Sequence, residues 1–175
     1  TKWWIKKFLK KLKIVIFGGA GFIGSHVAEV LYKLGHDVTI ADLKKPPFIK
    51  NNIKFKKVDI QKEKNILKLV RHKDAVYNFA AIADIQESYN NPKKTFEINI
   101  MGSANILKSC VLGKVKRYIL ASSIYADSSQ GGFYRVSKQA SELMTAEYGK
   151  VYNLKYSILR YGSIYGPRSN LNNGL

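Results

Sequence analysis

Short apolar runs alternate along this chain with longer stretches whose apolar positions recur at helical spacing, which predicts strand after helix after strand. The first strand spans about 13–17, a helix follows near 22–34, and a second strand near 37–41 ends at Asp42. A Pro46-Pro47 turn leads to a third strand near 53–58, a polar helix near 61–70 and a fourth strand, Ala75-Val76-Tyr77-Asn78-Phe79. A long helix from Pro92 to Leu112 carries Ile98, Met101, Ile106 and Leu107 among its apolar positions. The fifth strand, Arg117 to Ala121, opens into a loop over 122–133, and a helix from Tyr134 to about Val151 leads to a sixth strand, Tyr156 to Leu159. Such alternation packs as an α/β doubly wound parallel sheet with helices on both faces. No repeat, low-complexity stretch or flexible linker interrupts it, so a single domain is expected over 13–175.

Between the first strand and its helix lies Gly18-Gly19-Ala20-Gly21-Phe22-Ile23-Gly24. Strand, glycine-rich turn and helix in that order form a phosphate-binding corner for a dinucleotide. Gly18 supplies the tight turn, Gly21 admits a pyrophosphate to the backbone, and Gly24 lets the helix pack closely on the strand. The helix N-terminus, at Phe22 and Ile23, offers free N–H groups and partial positive charge. Asp42 lies eighteen residues beyond Gly24 at the end of the second strand, placed to accept hydrogen bonds from an adenosine ribose. Its charge repels a 2′-phosphate and so favours NAD over NADP, although Lys44 and Lys45 soften that repulsion; the plainer reading is a turn aspartate. Asp59, with Ile60 beside it, follows the third strand and is a second candidate, for the adenine edge.

Composition adds little chemistry. Cys110 is the single cysteine, which excludes a disulfide framework, and His26, His36 and His72 show no ligand spacing, so no metal site is expected. These features fit a reducing cytoplasm. The formal net charge of +18 comes mostly from scattered lysines, with no basic stripe interleaved with stacking aromatics. Abundant Lys, Ile and Asn suit an A/T-rich coding sequence, and specific nucleic-acid binding is not expected. Residues 1–12 form a basic amphipathic extension, with Trp3, Ile5, Phe8, Leu9 and Leu12 near one helical face. An anionic membrane surface is one reading of it, and docking of its aromatics on the domain is the favoured one.

A second constellation appears at Tyr134-Arg135-Val136-Ser137-Lys138. At i and i+4 on a helix the ammonium can sit beside the phenol. A phenol with a pKa of about 10 is a poor base at neutral pH, and an adjacent ammonium is expected to lower it. Ser122-Ser123 emerges after the fifth strand, on the sheet edge where ligands bind.

With these parts in place, the chain resembles the extended branch of the short-chain dehydrogenase/reductase superfamily, and within it the NAD-dependent epimerase/dehydratase group acting on nucleotide sugars. Further carriers of the resemblance are Asn78-Phe79-Ala80-Ala81, Glu97-Ile98-Asn99-Ile100-Met101-Gly102, Leu159-Arg160-Tyr161 and Tyr165-Gly166-Pro167-Arg168. It implies a Rossmann-type sheet, NAD as cofactor, a nucleotide-sugar substrate and a homodimer paired through the helices of Asn99 and Tyr134. By matching position Tyr134 is the catalytic acid/base, Lys138 tunes it and binds the nicotinamide ribose, and Ser123, favoured over Ser122, holds the reacting sugar oxygen. Ala80, Ala81 and Tyr161 line the cofactor or belong to the core. Asn99 supports the site, near the cofactor or through structure alone.

Four departures stand out: Phe17 for a customary Thr, Ala126-Asp127-Ser128 for Val-Tyr-Gly, a short loop between Ser123 and Tyr134, and Ser163 for an Asn that contacts substrate diphosphate. The family also continues beyond the point matched by Leu175 into a smaller substrate lobe, so a fragment truncated before that domain is expected. The activity implied is a nucleotide-sugar epimerase of UDP-glucose 4-epimerase type. A dehydratase or reductase of the same family, or a non-catalytic NAD-binding module, is the alternative.

Overall fold

The computed structural model describes residues 10–47 and 52–169. Most of the basic amphipathic extension, residues 1–9, lies outside the described residues, as does the tail at 170–175. Six strands form one sheet: β1 (Lys13–Phe17), β2 (Asp37–Asp42), β3 (Lys54–Lys57), β4 (Ala75–Asn78), β5 (Arg117–Ser123) and β6 (Tyr156–Tyr161). Their order is β3-β2-β1-β4-β5-β6 and every pairing is parallel. Succession runs outward from β1 in one direction and from β4 in the other, so the crossovers diverge between them. That divergence opens a crevice beyond the carboxyl ends of β1 and β4, where doubly wound sheets bind ligands.

The helices are α1 (Phe22–Lys33), α2 (Glu63–Val70), α3 (Ile85–Asn90), α4 and α5 (Gly132–Tyr152). Helix α4 runs on through Pro92–Phe96, a π-helical stretch Glu97–Gly102, and Ser103–Leu112. α3 lies between β4 and α4, and Asp84 caps it, its carboxylate accepting the Glu87 N–H at 2.7 Å. The expected loop after β5 is shorter than predicted. Strand pairing carries on through Ser122 and Ser123, and a 3₁₀ turn takes Ile124–Asp127.

Alternation along the strands divides the core. Val15, Phe17, Val76, Tyr118 and Leu120 face one way and pack with α2, α4 and α5; Ile14, Ile16, Val38, Ile40 and Ile119 face the other, with Ala28 of α1. Small residues bring α1 down onto the sheet, since Gly24, Ser25 and Ala28 form its buried side. After β6 the chain turns back across α1. Arg168 reaches Ser25 Oγ at 3.2 Å and Glu29 Oε1 at 2.9 Å, and His26 Nε2 lies 2.8 Å from the Pro167 carbonyl. No helix among the described residues is long and apolar enough to cross a membrane.

Candidate active site

The glycine corner is shaped by contacts that exclude side chains. Gly18 has φ +70°, and a Cβ there would meet the backbone of Phe79 and Ala80 at 2.5 Å. A Cβ at Gly24 would strike the Gly18 carbonyl, so β1, β4 and α1 converge only because both positions are glycine. Gly21 differs: a Cβ there would meet just the Gly18 oxygen, at 3.3 Å, leaving this part of the turn open. The N-terminus of α1 has no side-chain cap and no acid in its first turn. Its free N–H groups and partial positive charge therefore face the crevice. Phe22 and Ile23 are half-buried there, Phe22 edge-on to His26 with centroids 5.6 Å apart. Asp42 binds the corner itself. One carboxylate oxygen accepts the Ala20 N–H at 2.9 Å and the other the Leu43 N–H at 2.7 Å, and each keeps accepting capacity for a sugar hydroxyl.

On the β4 side, Ala80 and Ala81 are half-buried beside the turn. Tyr161, at the end of β6, leans on Phe79 with centroids 6.3 Å apart. Asp59 accepts the Gln61 N–H at 3.0 Å and shapes the turn after β3, whereas the buried Ile60 packs against Gly102 and gives its carbonyl to Asn105. Asp59 follows β3, which lies beyond β2 from the acid/base pair.

That pair stands at the carboxyl end of β5. Tyr134 is buried and hydrogen-bonded to Ser123, and the Ser123 Oγ also accepts the Tyr125 N–H at 3.2 Å. The Lys138 ammonium lies 5.6 Å from the Tyr134 ring centroid and donates to the Ala121 carbonyl at 2.8 Å. Ser122 turns to the other face and donates to Glu142, which separates the two serines: Ser123 serves the phenol, Ser122 the helix. The expected lowering of the Tyr134 pKa by Lys138 is not observed. Burial pushes the phenol up, more than its hydrogen bond with Ser123 brings it down, with Tyr125 adding to the rise. The reason lies in Lys138, only 6% exposed, whose pKa burial pulls down to about 8 against the pull of Glu142. Below about pH 8 Lys138 therefore stands as an ammonium beside a phenol that keeps its proton.

Residues 14–174 match the NAD dependent epimerase/dehydratase family. The chain belongs to this family. A UDP-N-acetyl-alpha-D-glucosaminuronate decarboxylase of Bacillus cytotoxicus is 32% identical over 91% of this chain and 56% of its own length. A putative UDP-glucose 4-epimerase of Methanocaldococcus jannaschii is 31% identical over 89% of this chain and 57% of its own. Among solved structures, the UDP-glucose 4-epimerase of Thermus thermophilus in complex with NAD superposes with a TM-score of 0.83 at 31% identity, covering 91% of this chain and 58% of that one. The chain thus spans about half the length of the relatives it matches.

The family is one of NAD-dependent enzymes, and the crevice fits that cofactor. The open turn at Gly21, the uncapped start of α1 and the Asp42 carboxylate are the groups that would receive pyrophosphate and ribose. Asn99, a candidate for this crevice, accepts the Ile82 N–H at 2.8 Å and donates to the Ile82 carbonyl and Ser137 Oγ, both at 2.9 Å. Its side chain is 1% exposed and committed, so it braces the loop after Ala81 against α5 instead of lining the crevice. Two further supports escaped sequence reasoning. Asn78 donates to Ser103 Oγ and Tyr118 Oη, both at 3.0 Å, and accepts the Ala80 N–H at 3.2 Å, fixing the exit of β4. Glu142 was the findable one: it continues the i, i+4 spacing of Tyr134 and Lys138 by one more turn. Two crevices elsewhere on the surface lie apart from this chemistry: one over Thr39, Lys56 and Leu69, the other over Tyr77, Ile119 and Leu159.

Proposed function

We propose that the chain carries the cofactor half of a nucleotide-sugar epimerase of UDP-glucose 4-epimerase type. The observation that carries this reading is the convergence of Tyr134, Lys138 and Ser123 at the end of β5, beside the crevice opened between β1 and β4. NAD supplies reversible hydride acceptance when bound. In its phenolate form Tyr134 accepts the proton of the sugar hydroxyl at its phenolic oxygen and later returns it. Ser123, already hydrogen-bonded to Tyr134, holds the reacting oxygen in line with that proton. Lys138 keeps positive charge near the phenol and is placed to meet a ribose hydroxyl. Asp42 anchors the adenosine end, and its charge disfavours a 2′-phosphate.

Dehydration is the nearest rival, and it needs an acid poised beside the reacting carbon. Ile124 and Tyr125 follow Ser123 directly. The nearby carboxylate, Asp127, is paired with Arg160 at 3.2 Å. This favours epimerisation. A homodimer belongs to the same reading, supported by exposed Met101 on α4 and by Val136 and Leu143 on α5, the last of them 70% exposed. Incubating the whole protein with UDP-, GDP- and dTDP-sugars tests the activity. Interconversion of one epimer pair is expected, and a 4-keto-6-deoxy product, or no turnover across the panel, overturns it.

A further inference from the structure

Glu142 takes no part in the chemistry just described, yet the structure builds around it. It sits one turn beyond Lys138 on α5, its side chain 12% exposed. Its carboxylate accepts Ser122 Oγ from β5 and both Nε and Nη2 of Arg160 from β6, at 2.9 and 2.8 Å. Arg160 in turn lies 3.2 Å from Asp127 on the 3₁₀ turn. A carboxylate fixed by two strands thus stands one helical turn from a buried ammonium whose hydrogen bond goes to a neutral carbonyl, that of Ala121. The titratable groups brought to this place are Tyr134 and Glu142 on α5, Tyr125 and Asp127 on the 3₁₀ turn, and Arg160 on β6. β5 contributes only the hydroxyls of Ser122 and Ser123 and the Ala121 carbonyl.

We propose that Glu142 is a positioning residue for the acid/base pair: clamped by Ser122 and Arg160, it holds Lys138 in its charged form beside Tyr134. The inference rests on the reading of Tyr134 and Lys138 as that pair. Physically, an ammonium moved out of water sheds its proton unless a counter-charge compensates, and a carboxylate one helical turn away is such a charge. Arg160 and Ser122 do for Glu142 what Glu142 does for Lys138. Burial alone would push the Glu142 carboxyl up, and these two partners, with Lys138, hold it below its ordinary range.

The test follows Lys138 by the pH dependence of its ¹³Cε NMR signal, assigned by its loss in K138M. With the wild-type midpoint near 8, E142Q is expected to lower it by about one unit or more. S122A, which removes a hydrogen bond and leaves the charge, should leave the midpoint in place. R160Q leaves Glu142 charged near pH 8 and removes a cation, so it should leave the midpoint in place or raise it, and E142A serves if E142Q does not fold. An unchanged midpoint in folded E142Q or E142A overturns the proposal, as does an equal fall in S122A, which would make the role one of packing. None of these readouts needs substrate or turnover. Failure of the titration leaves the epimerase reading standing, and full activity in Y134F would sink that reading without touching the titration.

Discussion

Replacing Asn99 with Leu tests whether the site is held from behind. The side chains are close in volume, so the change removes hydrogen bonds with little cavity formation. Three are lost: one from the Ile82 N–H, one to its carbonyl and one to Ser137 Oγ. Ser137 keeps its bond to the Tyr134 carbonyl, but Ile82 is buried and its N–H is left without a partner. An orphaned buried donor costs about 1–3 kcal/mol and each remaining bond about 1 kcal/mol, so a loss of about 3–5 kcal/mol is expected. At about 2–4 °C per kcal/mol for a chain of this size, the melting temperature should fall by about 6–20 °C. Urea denaturation followed by circular dichroism gives the energy, and hydrogen exchange at the Ile82 amide shows whether the loop after Ala81 opens first. S137A removes one member of the set together with the Ser137 bond to the Tyr134 carbonyl and should cost about 2 kcal/mol. A loss below about 1 kcal/mol for N99L, with Ile82 still protected, would refute the view that Asn99 joins this loop to α5.

Other outcomes follow from the same geometry. D42N keeps an acceptor for Ala20 N–H and loses the charge, so by calorimetry in moderate salt NAD should bind about 10–100-fold more weakly, with discrimination against NADP reduced. Unchanged affinity would show that Asp42 merely shapes the turn. Y134F should keep NAD binding and lose about 10²–10⁴-fold in turnover, read by steady-state assay of the whole protein. K138M bears on stability. The unfolded lysine titrates near 10.5 and the folded one near 8, so the unfolded chain binds more protons between those values and wild-type stability rises with pH through that window. Below about pH 8 the cost of the buried charge is present in full, so K138M should exceed wild type there by about 2 kcal/mol after loss of the Ala121 hydrogen bond, with the difference vanishing by about pH 10. A constant difference across that range would contradict the buried-ammonium picture.

Periodicity gave the six strands to within a few residues because each is a short apolar run bounded by turn-forming residues, and parallel strands buried on both faces leave that mark. The glycine corner was equally legible, since the positive φ of Gly18 and the convergence at Gly24 admit few other residues. What stayed hidden depends on contacts between distant segments. The π-helical stretch around Asn99 has the composition of an ordinary helix, and only its partners Ile82 and Ser137 show why it is there. The rise of the Tyr134 pKa, against the lowering its spacing from Lys138 predicts, has the same origin. Spacing places an ammonium beside a phenol but says nothing of how much water surrounds either. Glu142 lay on the expected helical face, yet its meaning needed Ser122 on β5 and Arg160 on β6.

The two rims of the sheet have different consequences for how molecules meet one another. Along β3, Lys54, Lys56 and Lys57 are exposed on a strand of four residues. A row of ammonium groups on an open strand repels any second strand that would pair there, so part of the excess charge acts as a guard against edge-to-edge growth. β6 carries no such row. Tyr156 and Leu159 stand partly exposed on it, and its charged side chain, Arg160, is exposed and paired with Glu142 and Asp127. Edge-to-edge pairing is therefore opposed at β3, and replacing Lys54, Lys56 and Lys57 with neutral residues would remove that opposition.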